Sequence, residues 1–212
     1  MRRLTRLPEP DILRTRKTQW LERFEASGKK HPSASQYGHP EIRSTLQAMS
    51  FHKCFYCETK VGATGQNEEV DHYIEVAEDR SRAFDWENLY LSCQGCNRSK
   101  RPNTQIPVQE CLDPCGAEDP SDHLTFEDEL ITTKDSSPLG LKTIQKHALD
   151  RGDLNHLRLK ALQRFHKALI TLHKRRGNRA MTDAEKSILR RYAQPDHPFS
   201  LMFQTLLDDT DL

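Results

Sequence analysis

No apolar run in these 212 residues approaches the roughly 18 that a bilayer-spanning helix requires, which argues against a helical membrane protein. The opening Met1-Arg-Arg-Leu-Thr-Arg-Leu-Pro lacks the hydrophobic stretch of a secretory leader, so a cytoplasmic location is expected. An excess of one charge is missing too. Thirty-two Lys and Arg stand against 31 Asp and Glu, giving a net charge of +1 and a pI near 7.7. Phosphate neutralisation needs clustered cations, so this balance excludes a protein that coats nucleic acid by bulk charge. Any contact with DNA must be local or shared with a partner. There is no internal repeat and no low-complexity tract. With 35% hydrophobic and 30% charged residues, the chain can bury one modest core, or a small catalytic unit with a helical appendage.

What is present is a pattern of cysteines. In a reducing compartment six cysteines read as metal ligands or free thiols rather than disulfides. Four of them form two knuckles, Cys54-Phe-Tyr-Cys57 and Cys93-Gln-Gly-Cys96. Structural zinc takes four thiolates in a tetrahedron, and two such knuckles supply it. The 35 residues between them leave room for a hairpin and a loop. Cys111 and Cys115 have a different spacing and only His123 nearby, which suits a loop with two free thiols.

Local patterns outline the elements. Residues 11–26 read as a helix with Asp11 at its cap and Leu13, Trp20, Leu21 and Phe24 on one face. A second helix starts at Pro40, with Ile42, Leu46 and Met49 facing a core. Residues 54–61 and 70–76 read as β-like, Leu89-Tyr-Leu as extended, and a helix begins at the second cysteine pair and stops before Pro102. Residues 110–137, acidic and rich in Pro, Ser and Asp, suit a connecting loop rather than a buried element. Leu154, Leu157, Leu162, Phe165, Leu169 and Leu172 trace a helical stripe, Thr182-Asp-Ala-Glu185 is a capping box, and a last apolar helix follows Pro198. The fold class predicted is α+β, mostly helical. It has an N-terminal helical arm (1–50), a zinc-bound ββα core (51–110), an acidic connecting loop (111–140) and a C-terminal helical region (141–212) suited to partner docking. The best basic surface lies between Arg151 and Arg179.

The chemistry lies inside the zinc frame. Hydrolysing a phosphodiester needs a nucleophilic water, a base to take its proton and a cation to neutralise developing charge. His72 suits the base, being largely neutral at cytoplasmic pH. Asp71 and Asn97 offer the hard oxygens that Mg²⁺ prefers. On an extended segment Asp71 and His72 point to opposite sides. A turn there would let the carboxylate reach a metal while the imidazole meets a water.

The strings Cys-Phe-Tyr-Cys-Glu, Val-Asp-His-Tyr and Trp-Glu-Asn-Leu-Tyr-Leu-Ser-Cys-Gln-Gly-Cys-Asn-Arg-Ser-Lys resemble the zinc-containing HNH nucleases of the ββα-metal, treble-clef-like class. Within that class the chain is similar to the PtuB family, nuclease subunits that accompany PtuA ATPases in Septu anti-phage defence and in some retron systems. Ile106-Pro-Val, Leu112-Asp-Pro and Asp153-Leu-Asn-His-Leu-Arg158 extend the likeness over about residues 1–160. The resemblance implies His72 as general base, and Asp71 and Asn97 as ligands of catalytic Mg²⁺ or Mn²⁺. Asn88 would tie down the loop and help orient the base, and Cys54, Cys57, Cys93 and Cys96 would bind structural zinc. It implies a DNA endonuclease partnered by a PtuA-like ABC ATPase and, in a retron setting, by a reverse transcriptase with its RNA–DNA product.

The family commonly carries Arg-Pro-Lys after Asp-His-Tyr, where Ile74-Glu75-Val76 stand here. Arg80, Arg82 or Lys100 is the expected replacement, and Arg98, Lys100 and Arg101 are the expected nucleic-acid contacts. The alternative is a zinc-stabilised module that binds nucleic acid or a partner without catalysis. It differs in having no reason to keep a base and two oxygen ligands together.

Overall fold

The computed structural model describes residues 1–100, 105–208 and 210. Helix α1 (Asp11–Ala26) buries Leu13 and Phe24 and half-buries Trp20 and Leu21, the predicted face. Its N-cap is Pro10 rather than Asp11. Asp11 is instead a first-turn acid, paired with Arg14, where a carboxylate suits the positive end of the helix dipole. A short α2 (Ala34–Tyr37) leads into α3 (Pro40–Ser50), which has Pro at its first position and buries Ile42, Leu46 and Met49. The left-handed Phe51 ends it and turns the chain toward the first knuckle.

Residues 54–61 do not form the strand expected of them. The Cys54 N–H donates to Thr59 O (2.8 Å) and the Glu58 N–H to Cys54 O (3.0 Å), so the segment coils into a knuckle. Two cysteines three apart point to opposite sides of a strand and lie about 10 Å apart along it, whereas converging on one centre requires a turn. Strand β1 (Glu68–His72) then pairs antiparallel with β2 (Leu89–Cys93), setting Asp71 opposite Tyr90 and His72 opposite Leu89. β1 stops short of the predicted Val76 because buried Asn88 captures both backbone groups of Ile74 and bends the chain away. Helix α4 (Gln94–Lys100) follows β2 without a break, completing a ββα unit, and Arg101 lies outside the described residues.

The predicted connecting loop at 111–140 contains a hairpin, β3 (Leu124–Glu127) with β4 (Leu130–Thr133). Leu112, Leu124 and Ile131 are buried. Acidic composition masked the signal, which is an alternating Leu-Thr-Phe-Glu and Leu-Ile-Thr-Thr around a turn at Asp128, whose φ is +53°.

Helices α5 (Pro138–His147), α6 (Gly152–Arg176), α7 (Asp183–Arg190, with the predicted capping box) and α8 (Ser200–Asp208) complete the fold. Leu201, Met202, Phe203 and Leu207 of α8 are buried, and one contiguous apolar cluster runs from Met1 to Leu207. Glu58 ties the first knuckle to α8. It takes Lys53 Nζ (2.9 Å), Ser200 Oγ (2.6 Å) and the Leu201 N–H (3.2 Å). Burial opposes its charge, but Lys53, the Met1 amino group and these donors hold its carboxyl far below the usual range. No helix among the described residues is long and apolar enough to cross a membrane.

Candidate active site

The two knuckles converge. The thiols of Cys54, Cys57, Cys93 and Cys96 lie within 4.8 Å of one another, and all four residues are buried. Sulfurs in a tetrahedral zinc site stand about 3.8 Å apart, given Zn–S bonds of about 2.3 Å. The Cys57–Cys93 separation of 3.7 Å matches that, so the group fits zinc.

Polar groups reach three of the four sulfurs. Thr59 Oγ1 is 3.1 Å from Cys57, the Cys96 N–H donates to Cys93 (3.4 Å), and Arg151 Nη1 donates to Cys96 (3.4 Å). Burial works against the Arg151 charge, but the sulfurs of Cys96 and Cys57 outweigh it and raise its pKa. Arg151 is 55 residues from Cys96 in sequence, so no local spacing marks it as a neighbour of the cysteine group. The left-handed Ala148 that separates α5 from α6 brings it there.

His72, the last residue of β1, is 9% exposed, and its ring lies 4.8 Å from that of Tyr37. Nε2 is 2.9 Å from Ala83 O. A carbonyl only accepts, so the proton sits on Nε2 and the lone pair on Nδ1. Burial lowers the His72 pKa, with the Ala83 carbonyl and Asp71 only partly offsetting it, so the ring is neutral at pH 7. Asn88 supports this arrangement. Its Oδ1 accepts from the Ile74 N–H (2.7 Å), while Nδ2 donates to Ile74 O (3.0 Å) and to Arg82 O (3.1 Å), one residue before the carbonyl that holds His72.

Asp71 and His72 keep strand register, so the turn considered in the sequence is not made and their side chains occupy opposite faces. Asp71, 4% exposed, faces α4. Lys100 Nζ lies 3.0 and 2.9 Å from its two oxygens, and Tyr56 Oη donates to Oδ2 (2.7 Å). Burial, then the Asp71 charge, raises the Tyr56 pKa and keeps that proton in place. Lys100 also donates to the His72 carbonyl and stands 3.5 Å from Glu75. Asn97, one helical turn before Lys100, donates from Nδ2 to Glu69. Asp71 and Asn97 therefore border the same β1–α4 seam. Their oxygens have the hard-donor chemistry of a Mg²⁺ or Mn²⁺ site, and Asp71 Oδ1, with one hydrogen bond among the described residues, keeps acceptor capacity.

The basic residues divide differently from expectation. Lys100 is 1% exposed and turned inward, so it presents no charge to nucleic acid here. Arg80 packs on the Phe24 ring (4.2 Å) and donates to Lys29 O (2.9 Å), and Arg82 pairs with Asp85 (2.9 Å). Arg98 is exposed. Glu69, which the sequence left without a role, is the one residue among those described that touches Asn97 through a side-chain hydrogen bond. Its position two residues before Asp71 on a strand was the signal that could have found it.

Residues 54–102 match the HNH endonuclease family. The chain is similar to the Septu protein PtuB of Bacillus mycoides (strain KBAB4), at 32% identity over 154 residues that cover 58% of this chain and 52% of the relative. It is also similar to the Septu protein PtuB of Bacillus thuringiensis, at 30% identity over 101 residues that cover 48% of this chain and 38% of the relative. The chain thus spans about half or less of the length of these relatives.

Proposed function

We propose that this chain, an HNH-domain protein similar to Septu PtuB proteins, is a metal-dependent DNA endonuclease working in a defence assembly with a PtuA-like ATPase. The observation that carries the reading is His72. Its Nε2–H is spent on the Ala83 carbonyl, its ring is kept neutral by burial, and Nδ1 is left to take a proton. In this scheme His72 Nδ1 deprotonates the attacking water, and Asn88 keeps the Arg82–Ala83 segment, and so the ring, at a fixed angle. Asp71 and Asn97 would hold Mg²⁺ or Mn²⁺, which when bound supplies charge neutralisation at the phosphate and leaving oxygen. Arg98 contacts the DNA backbone. The ATPase docks on residues 141–212, where Ile170 and Ile188 are each more than half exposed.

Dependence on a partner agrees with the net charge of +1, which gives the chain little non-specific hold on DNA. The test is cleavage of plasmid DNA with Mg²⁺ or Mn²⁺, with the protein alone and co-purified with its ATPase. His72→Ala should abolish cleavage while zinc content stays at the wild-type value. Equal cleavage by His72→Ala would reject the proposal.

A further inference from the structure

On β1 the side chains of Glu69 and Asp71 lie on one face, the face that packs on α4. Along α4, Gln94, Asn97 and Lys100 follow at intervals of three and present themselves to that face in order. Lys100 meets Asp71. Asn97 Nδ2 donates to Glu69 Oε2 at 2.5 Å, and Gln94 Nε2 to Glu69 Oε1 at 3.4 Å. An ionised carboxylate has no proton to give, so it can hold Asn97 only by the NH₂ end of the amide. That fixes which end of a nearly symmetric group faces elsewhere, and only Oδ1 of Asn97 can ligate a hard cation.

We infer that Glu69 is a positioning residue that locks the Asn97 amide so that Oδ1, and not Nδ2, is offered to the divalent ion. This rests on the proposal that Asn97 is a ligand of that ion. Without Glu69 no other side chain among the described residues holds the amide by a hydrogen bond, and half of its orientations set N–H groups against the cation. Loss of a group that orients a ligand typically costs roughly 10–100-fold in metal affinity.

The experiment is a titration of zinc-loaded, full-length protein with Mn²⁺, reading free Mn²⁺ by electron paramagnetic resonance. Zinc content and melting temperature are recorded for each variant. Asn97→Ala and Glu69→Ala should each weaken Mn²⁺ binding by roughly 10–100-fold. Glu69→Gln, whose Oε1 can still accept from Asn97 Nδ2, should stay within about threefold of wild type. The double variant Glu69→Ala/Asn97→Ala should bind no more weakly than Asn97→Ala alone, because Glu69 acts through Asn97.

Glu69→Gln as weak as Glu69→Ala would overturn the inference in favour of direct coordination by the carboxylate. Wild-type binding by Glu69→Ala beside weakened Asn97→Ala would remove Glu69 from the site. Wild-type binding by Asn97→Ala would instead reject Asn97 as a ligand. If Glu69→Ala loses its zinc, Glu69→Gln and Asn97→Ala decide the matter by the same criteria, since an orienting role requires that the first bind Mn²⁺ normally and the second weakly.

Discussion

Replacing Lys100 with Met keeps most of the side-chain volume and removes the ammonium from the β1–α4 seam. The group lost lies 3.0 and 2.9 Å from the Asp71 oxygens, also bonds the His72 carbonyl, and stands 3.5 Å from Glu75. At about 3 Å and an effective dielectric constant of about 20, the attraction within one such pair is about 5–6 kcal/mol, set against several kcal/mol of desolvation for each ion. The net value of the pair is therefore small, but the cost of breaking it from one side is not. Asp71, 4% exposed, would keep only Tyr56 as a donor among the described residues. Removing one partner of a buried pair costs about 3–5 kcal/mol.

Urea unfolding of zinc-saturated protein should show that loss for Lys100→Met. Adding Asp71→Asn should recover at least about 2 kcal/mol of it, because the stranded charge is then gone. A Lys100→Met protein within about 1 kcal/mol of wild type would refute the reasoning, since it would mean that Asp71 has water or another cation to fall back on.

Other consequences are sited at residues the resemblance left without a role. Burial, with Lys100, Lys146 and Arg151 adding like-charge repulsion, lowers the His147 pKa to about 3. The unfolded chain, near 6.5, takes this proton first as pH falls, so stability is complete above that value and declines below it. His147→Phe keeps the stack on Tyr56, now at 4.3 Å, and removes the liability. Its stability relative to wild type should rise by about 1.4 kcal/mol between pH 7.5 and 5.5 in urea titrations, and an unchanged difference would count against a neutral buried ring. Arg151→Ala removes the guanidinium from the Cys93 and Cys96 sulfurs. Zinc affinity, measured by competition with a chromogenic chelator, should drop by roughly 10–100-fold, and wild-type retention would show that Arg151 does not stabilise the thiolates.

Features set by short spacing were legible in the sequence. The cysteine knuckles, the helix faces of α1 and α3 and the Thr182 capping box each depend on neighbours within a few positions. Contacts across long separations were not. Ser200 meets Glu58 from 142 residues away, and Arg151 meets Cys96 from 55. Composition misled at Leu124–Thr133, where acidic turn residues hid two alternating strands. Lys100 shows the limit most clearly. A lysine one turn past a knuckle reads as a surface cation, and only the packing of α4 on β1 reveals that it neutralises Asp71. The same packing gives Glu69 its place beside Asn97.

His72 can be tested by returning what its removal takes away. His72→Ala leaves an imidazole-sized space between Tyr37 and the Ala83 carbonyl. Cleavage of plasmid DNA by this variant, with zinc loaded and Mg²⁺ or Mn²⁺ present, should be undetectable and should recover in proportion to added imidazole in its neutral form. Wild-type cleavage by His72→Ala without imidazole would contradict a proton transfer to Nδ1 and with it the catalytic role of this site.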